Sequence, residues 1–438
     1  MCSSSTDDPP PPAKKPVADA PLSLLATLER RFRLVTFVGT MLPTMAALLL
    51  QFVTFAVTAR GLGVEQFGRY TAVLALAAIG VELVGLGGAD LLVRGVARER
   101  RSFARYHGHM LLLIACSLPL VVVLGVWLGL VPLQMRISGW LLAAALAAEI
   151  ASARMSASLE LVMVAHGDAV RAGWVRLIAA ASRLLLALLF FVALAQHALD
   201  AWIGAVCLLS VVLCAACVLA TRRLYGAARW QWLRGEWATG VAFSAAQLAR
   251  SLQSNLDRLV LARFADEAAL GTYGAASRVL QLGLFPLQVV TRILYPKFFV
   301  HGAQGLHAAR RFAWRTATPA MAVVGVLACL AVVLAAELVP ALLGKDFAQS
   351  THTTMVLALA LPFIALQYPP ADALTGAGRQ GLRAMLSAAA ALGFGLLLLA
   401  GAHWDGVNGV TWAFVGGHAL LAAVLWGATF VCADAPPT

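Results

Sequence analysis

Apolar runs of about 20 residues, the length a helix needs to cross a bilayer, recur along the whole chain and are separated by short polar connections. Twelve spans are predicted, at residues 34–59, 70–93, 109–132, 138–164, 172–195, 199–221, 238–262, 271–296, 316–336, 352–374, 382–401 and 407–431. Six precede the polar segment 222–237 and six follow it. The expected fold class is therefore all-α and integral to a membrane, with an N-terminal lobe at 34–221, a cytoplasmic linker at 222–237 and a C-terminal lobe at 238–431. Residues 1–20 are polar and proline-rich, as in a disordered cytoplasmic tail. Residues 21–33 place Leu22, Leu25, Leu28 and Phe32 on one face, as in a helix lying in the membrane interface. A second tail is expected at 432–438.

The two lobes share a pattern. Ala59-Arg60 is followed after seven residues by Gly68-x-Tyr70, and Ala262-Arg263 in the same way by Gly271-x-Tyr273. A weaker echo pairs the turn at Gly167, before Arg171, with the turn at Gly378, before Arg383. Because each lobe has an even number of spans, both enter the membrane from the same side. The repeat is thus parallel, related by an axis along the membrane normal, an arrangement that places a binding cavity between the halves near the midplane. Spans one, two, seven and eight are then its expected walls.

Spans seven and eight depart from a plain lipid-facing pattern. Gln247, Arg250, Ser251, Ser254, Asp257 and Arg258 share one side of span seven, while Gly274, Arg278, Gln281, Gln288 and Arg292 cluster on span eight. An arginine near the bilayer centre costs about 3 kcal/mol on insertion scales, so several together point to a water-filled cavity or an anionic ligand. The candidate binding residues are Arg250, Arg258, Arg278, Arg292, Gln247, Ser254, Gln281 and Gln288. Other charges lie inside spans: Glu82 and Asp90, then Glu149, Arg154 and Glu160, then Arg176 and Arg183. Glu149, Ser156 and Glu160 share a face, and the last two arginines are a heptad apart; such groups either pair structurally within one lobe or join the cavity. Glu82, Asp90 and Asp257 are candidates to bind a coupling proton or sodium ion, with Asp372 a further intramembrane carboxylate. Pro286, Pro362, Pro369 and Pro370 interrupt helices and are expected to kink them, as hinges or as static bends.

Composition and charge fit this class. Hydrophobic residues make up 61% and charged residues 12% of the chain, against roughly 25% charged in soluble domains. Lysines and arginines crowd the connections on the side of the N-terminus, including Arg94, Arg98, Arg100, Arg101 and Arg105 and later Arg222, Arg223, Arg229 and Arg234, so both termini are expected in the cytoplasm. That asymmetry accounts for the net charge of +12 and for attraction to anionic lipids, and implies no nucleic-acid partner. Cys214-x-x-Cys217 lies in an apolar span with no second ligand pair, so it reads as two small buried hydrophobes.

No phosphate-binding glycine loop, zinc-protease motif or nucleophile elbow is present, which disfavours an ATP-driven pump and calls for no cofactor, metal or catalytic residue. The repeated Ala-Arg-x7-Gly-x-Tyr motif, Asn255-x-Asp257-Arg258, the Arg278-x-x-Gln281 helix ending in Tyr295-Pro296, and Gly378-Arg379-Gln380 together resemble the polysaccharide-biosynthesis (Wzx-type) flippases of the multidrug/oligosaccharidyl-lipid/polysaccharide exporter superfamily. The resemblance implies a bacterial inner-membrane carrier, not an enzyme. Its cargo would be an undecaprenyl-pyrophosphate-linked oligosaccharide for polysaccharide or O-antigen synthesis, and its partners a polysaccharide polymerase and chain-length proteins. Span one has no acidic residue, whereas multidrug antiporters of the superfamily often place a coupling carboxylate there. A multidrug-type antiporter and a polyprenyl-linked polymerase or ligase are the alternatives.

Overall fold

In the computed structural model of the chain, which describes residues 20–431, the described residues form helices and connecting turns. The tails lie outside the described residues except for Ala20, and side chains are described from Gly39 onward. Among the described residues nine helices are long and apolar enough to cross a membrane. Two of them, Gly39–Leu83 and Gln380–Val431, are bent at Gly63 and at Asp405-Gly406 and so hold two spans each. Trp237–Phe264, more polar than the others through its Gln, Ser, Arg and Asp residues, supplies the twelfth. Residues 21–33 are not a separate helix; they run continuously into span one.

Within the N-terminal lobe span one packs on span five, where Gly39 meets Val170 and Gly173 meets Pro43, and span four packs on span six. In the C-terminal lobe span eight packs on spans nine and ten, and Gly395 of span eleven meets Leu256 of span seven. One buried apolar cluster runs through both lobes, while large side chains such as Leu120, Leu208, Leu334 and Leu392 remain exposed around the outside, as surfaces turned to hydrocarbon are.

The repeat sequence explains how the lobes meet. A Cβ on Gly68 would stand 1.8 Å from the Glu267 carbonyl oxygen, and one on Gly271 would stand 2.1 Å from that of Val64. These are the same contact made twice, because 68 is to 271 as 64 is to 267. Gly274 sits against Thr71, its own counterpart at the same offset, so the pseudo-two-fold axis passes between them. The repeated glycine is therefore a close approach of two backbones at the end expected to face outward. Arg69 donates to Glu267 at 2.5 Å there, and Phe67 packs edge-on against Phe347.

Span two is not the continuous helix expected at 70–93. It ends at Leu83, and Gly85, Leu86 and Gly87 take left-handed backbone conformations before a short helix, Gly88–Arg98. Two of these three are glycines, which adopt that region without steric cost. The inner seam between spans two and seven runs past this break: Ser251 Oγ donates to the Ala78 carbonyl at 3.0 Å, Ser244 Oγ to that of Glu82, and Arg94 pairs with Glu236 of the linker. Pro286, Pro369 and Pro370 are carried inside helices, and Pro362 follows the break between Ser350–Ala358 and Ala360–Gly376.

Candidate functional site

A cavity of about 490 Å³ opens inside the bundle. Spans one and two contribute Gln51, Thr54, Thr58, Tyr70 and Thr71; span four contributes Glu149, Ser152, Ser156 and Glu160; span five contributes Arg176 and Arg183; and span six contributes Trp202. Arg258 of span seven and Gly274 and Arg278 of span eight complete the wall. The positions on span four follow the helical repeat of one face, and at 1.5 Å per residue Glu149 and Glu160 lie about 16 Å apart along the helix.

The arginines of the two lobes are held differently. Glu149 is buried, accepts a 2.6 Å hydrogen bond from the Tyr70 hydroxyl and pairs with Arg183. Glu160 pairs with Arg176. Across the cavity Arg258 donates from Nη2 to the Ser254 carbonyl at 2.9 Å, its Nε is buried without a partner, and its nearest carboxylate, Asp257, is 3.9 Å away. Asp257 itself accepts a 2.8 Å hydrogen bond from the Tyr273 hydroxyl. Arg278 donates to Gln281 at 3.2 Å and makes no ion pair among the described residues. It lies within electrostatic reach of Arg258, Arg183, Glu149 and Tyr70. The lining thus carries four arginines against two glutamates, and the uncompensated cations come from the C-terminal lobe. Buried guanidinium groups with free donors are suited to an anion with several oxygens, since they offer charge-assisted, forked hydrogen bonds.

Of the residues singled out on spans seven and eight, Arg258 and Arg278 reach this cavity. Arg250, Ser254, Gln281, Gln288 and Arg292 are exposed, Gln247 is half-buried, and none of the six belongs to its wall. The cavity is sunk into the N-terminal lobe, with spans four, five and six forming much of it, instead of lying evenly between spans one, two, seven and eight. Glu149, Glu160, Arg176 and Arg183 satisfy both of their readings at once, being ion pairs within one lobe and cavity walls. Tyr70 and Trp202 carried no sequence signal as wall residues, although the repeat had marked Tyr70. Glu82 and Asp90 flank the break in span two, away from the cavity, with Arg154 buried between spans four and two against Gly85. The described cysteines are free, and no group of three or more His, Cys, Asp or Glu residues able to hold a metal occurs among the described residues.

A sequence profile described as "Polysaccharide biosynthesis protein" matches residues 36–300, more than half of the chain. The chain belongs to this polysaccharide biosynthesis family. No curated protein sequence matches it. Among solved structures it is similar to an inward-facing multidrug resistance MATE family transporter of the MOP superfamily, with a TM-score of 0.69 at 15% identity over 90% of this chain and 97% of that one. A MATE transporter of Vibrio cholerae gives 0.62 at 17% identity over 92% and 97%. An outward-facing MATE transporter of the MOP superfamily gives 0.59 at 17% identity over 90% and 94%. At these identities the likeness is one of fold: about twelve membrane helices in two lobes. The long apolar helices and this fold together make the chain a multi-pass membrane protein.

Proposed function

We propose that this chain flips a polyprenyl-pyrophosphate-linked oligosaccharide across the bacterial inner membrane by alternating access, with both termini in the cytoplasm. The observation that carries the reading is the excess of arginine in a mid-bundle cavity, above all Arg278, which faces the space without a carboxylate partner. A pyrophosphate presents charged oxygens on both phosphorus atoms and matches such a wall. The hydroxyl and amide groups of Gln51, Thr54, Ser152 and Ser156 suit a hydrated sugar, and the apolar tail can remain in lipid. The family's description supports a role in polysaccharide synthesis. A multidrug-type antiporter would be favoured by an acid-lined apolar pocket, and the wall here has the opposite sign. The seal at Gly68 and Gly271 closes the end assigned to the periplasm by the basic connections, so the state described would be loaded from the cytoplasm.

The test is reconstituted flipping of a fluorescent polyprenyl-diphosphate-linked saccharide in liposomes. Arg258→Ala is expected to reduce flipping to near background, and Arg258→Lys, which keeps charge but loses the fork, to an intermediate rate. Removing one partner of a buried pair destabilises the fold, so the control is Asp257→Asn with Arg258→Gln, expected to insert normally and flip poorly. Wild-type flipping by that double variant would move the binding role away from Arg258.

A further inference from the structure

We propose that Glu149 is the built-in counter-ion that lets the empty carrier return, standing in for the anionic cargo at the deep end of the cavity. The inference rests on the anionic cargo proposed above. A carrier must change its open side twice per cycle, once loaded and once empty, and at each crossing the cavity is cut off from water. Charges that are cheap in an open, wet cavity become expensive when it closes. The deep end is lined by Arg183, Arg258, Arg278 and Glu149, and Asp257, 3.9 Å from Arg258 and just outside the lining, is the second carboxylate. Its formal charge is therefore +1 when empty, and about −1 with a pyrophosphate diester of about two negative charges. Neither state is far from neutral.

The placement of Glu149 singles it out for this task. It lies on the cavity wall itself, whereas Asp257 is outside the lining and accepts from the Tyr273 hydroxyl. It is fixed by the Tyr70 hydroxyl at 2.6 Å and by Arg183, both groups of its own lobe, while Arg278 of the opposite lobe has no ion pair of its own. A carboxylate presented from one lobe to an uncompensated guanidinium of the other occupies the electrostatic place of the cargo. It also sits near the lobe contact, since Tyr70 is one residue from Thr71 at the pseudo-axis. Without Glu149 the empty site would carry +2 and the loaded site would be neutral, so only the empty crossing should slow.

Two measurements test this on the full chain. In liposomes, net flipping of the fluorescent diphosphate-linked saccharide is compared with its one-for-one exchange against unlabelled saccharide inside. Glu149→Gln is expected to raise the ratio of exchange to net flipping at least tenfold; an unchanged ratio overturns the proposal. Separately, single-molecule energy transfer between dyes on the exposed outer positions Arg136 and Lys345 reads how long the empty carrier dwells in each state. Glu149→Gln should lengthen those dwells at least tenfold, and inorganic pyrophosphate should shorten them again. Glu149→Asp should stay near wild type. The double variant Glu149→Gln with Arg183→Gln returns the empty site to +1 and should restore short dwells, which a purely structural role for Glu149 would not allow. Dwells that ignore Glu149→Gln, or a double variant as slow as the single one, overturn the counter-ion role even if the wild type flips its probe. A wild type that flips no probe while the dwells behave as stated removes the cargo reading and leaves the counter-ion standing.

Discussion

The N- and C-terminal lobes are built on one pattern and differ in how each holds its buried charges. Each places a glycine against a backbone carbonyl of the other, and each uses its repeat tyrosine, Tyr70 or Tyr273, to hold a carboxylate. They differ in where that carboxylate comes from. In the first lobe it is Glu149 of span four, and Glu160 lies further along the same face; in the second it is Asp257 of span seven. With the Gly167 and Gly378 turns as register, Glu149 and Glu160 fall opposite Ala360 and Ala371, both buried. The repeat thus supplies the lobe contact, which must be symmetric to close, while loss of symmetry in the walls supplies the cavity. The C-terminal lobe offers Arg278, which has no carboxylate partner among the described residues, to a lobe whose own cavity charges are paired.

The seal offers the sharpest way to break the comparison. Gly68→Leu and Gly271→Leu put a side chain where backbone carbonyls stand about 2 Å from any Cβ, and both are expected to bring flipping to background with insertion retained. Gly393→Leu, where nothing lies within 4 Å, should leave it unchanged. Next in size, thermal unfolding in detergent should respond oppositely in the two lobes. Arg183→Gln strands Glu149 and is expected to cost about 1–3 kcal/mol, the lower part of the usual range because its side chain is 32% exposed. Arg278→Gln removes a cation with no carboxylate partner, so the unfolding midpoint should hold or rise although flipping falls; equal destabilisation by both would erase the contrast. A smaller effect is expected from Arg69→Gln at the outer seam, where the pair is 38% and 20% exposed, with a change below about 1 kcal/mol.

The smallest effect is one of pH at the inner seam. Burial tends to push the Glu236 carboxyl up, but hydrogen bonds from Arg94 and Tyr106 and the charge of Arg94 more than offset it, holding it below the ordinary 4.5. A carboxyl depressed in the folded state contributes stability above its ordinary value and loses it as pH falls through the depressed one. Hydrogen-exchange protection in the linker around Glu236, taken relative to the unstructured rate at each pH, should therefore be flat from neutrality to about pH 4.5 and fall only below it. Loss of protection already near pH 6 would assign the seam to another group.

Much of this was legible because bilayers impose strong rules. Spans could be read from apolar length, and lobes from the Ala-Arg-x7-Gly-x-Tyr repeat, since a backbone contact tolerates only glycine and so leaves a mark in sequence. Arg258 and Arg278 were legible too, as charges with no lipid-compatible place. Arg250 and Arg292 carried the same signal and stand exposed outside the cavity, because a helical face wide enough to be polar spans more depth than one cavity occupies. The break in span two at Gly85 to Gly87 went unread, as its residues are as apolar as a continuous span.

The sequence by itself determined a membrane-embedded bundle of two parallel lobes, since hydrophobic length, the distribution of basic residues and the repeat are local properties that no packing can reverse. Only the tertiary structure decided which lobe holds the cavity. Glu149, Glu160, Arg176 and Arg183 read equally well as buried pairs or as a polar wall. That they are both depends on neighbouring helices leaving the space beside them unfilled, and that space is set by side chains from five other spans at once.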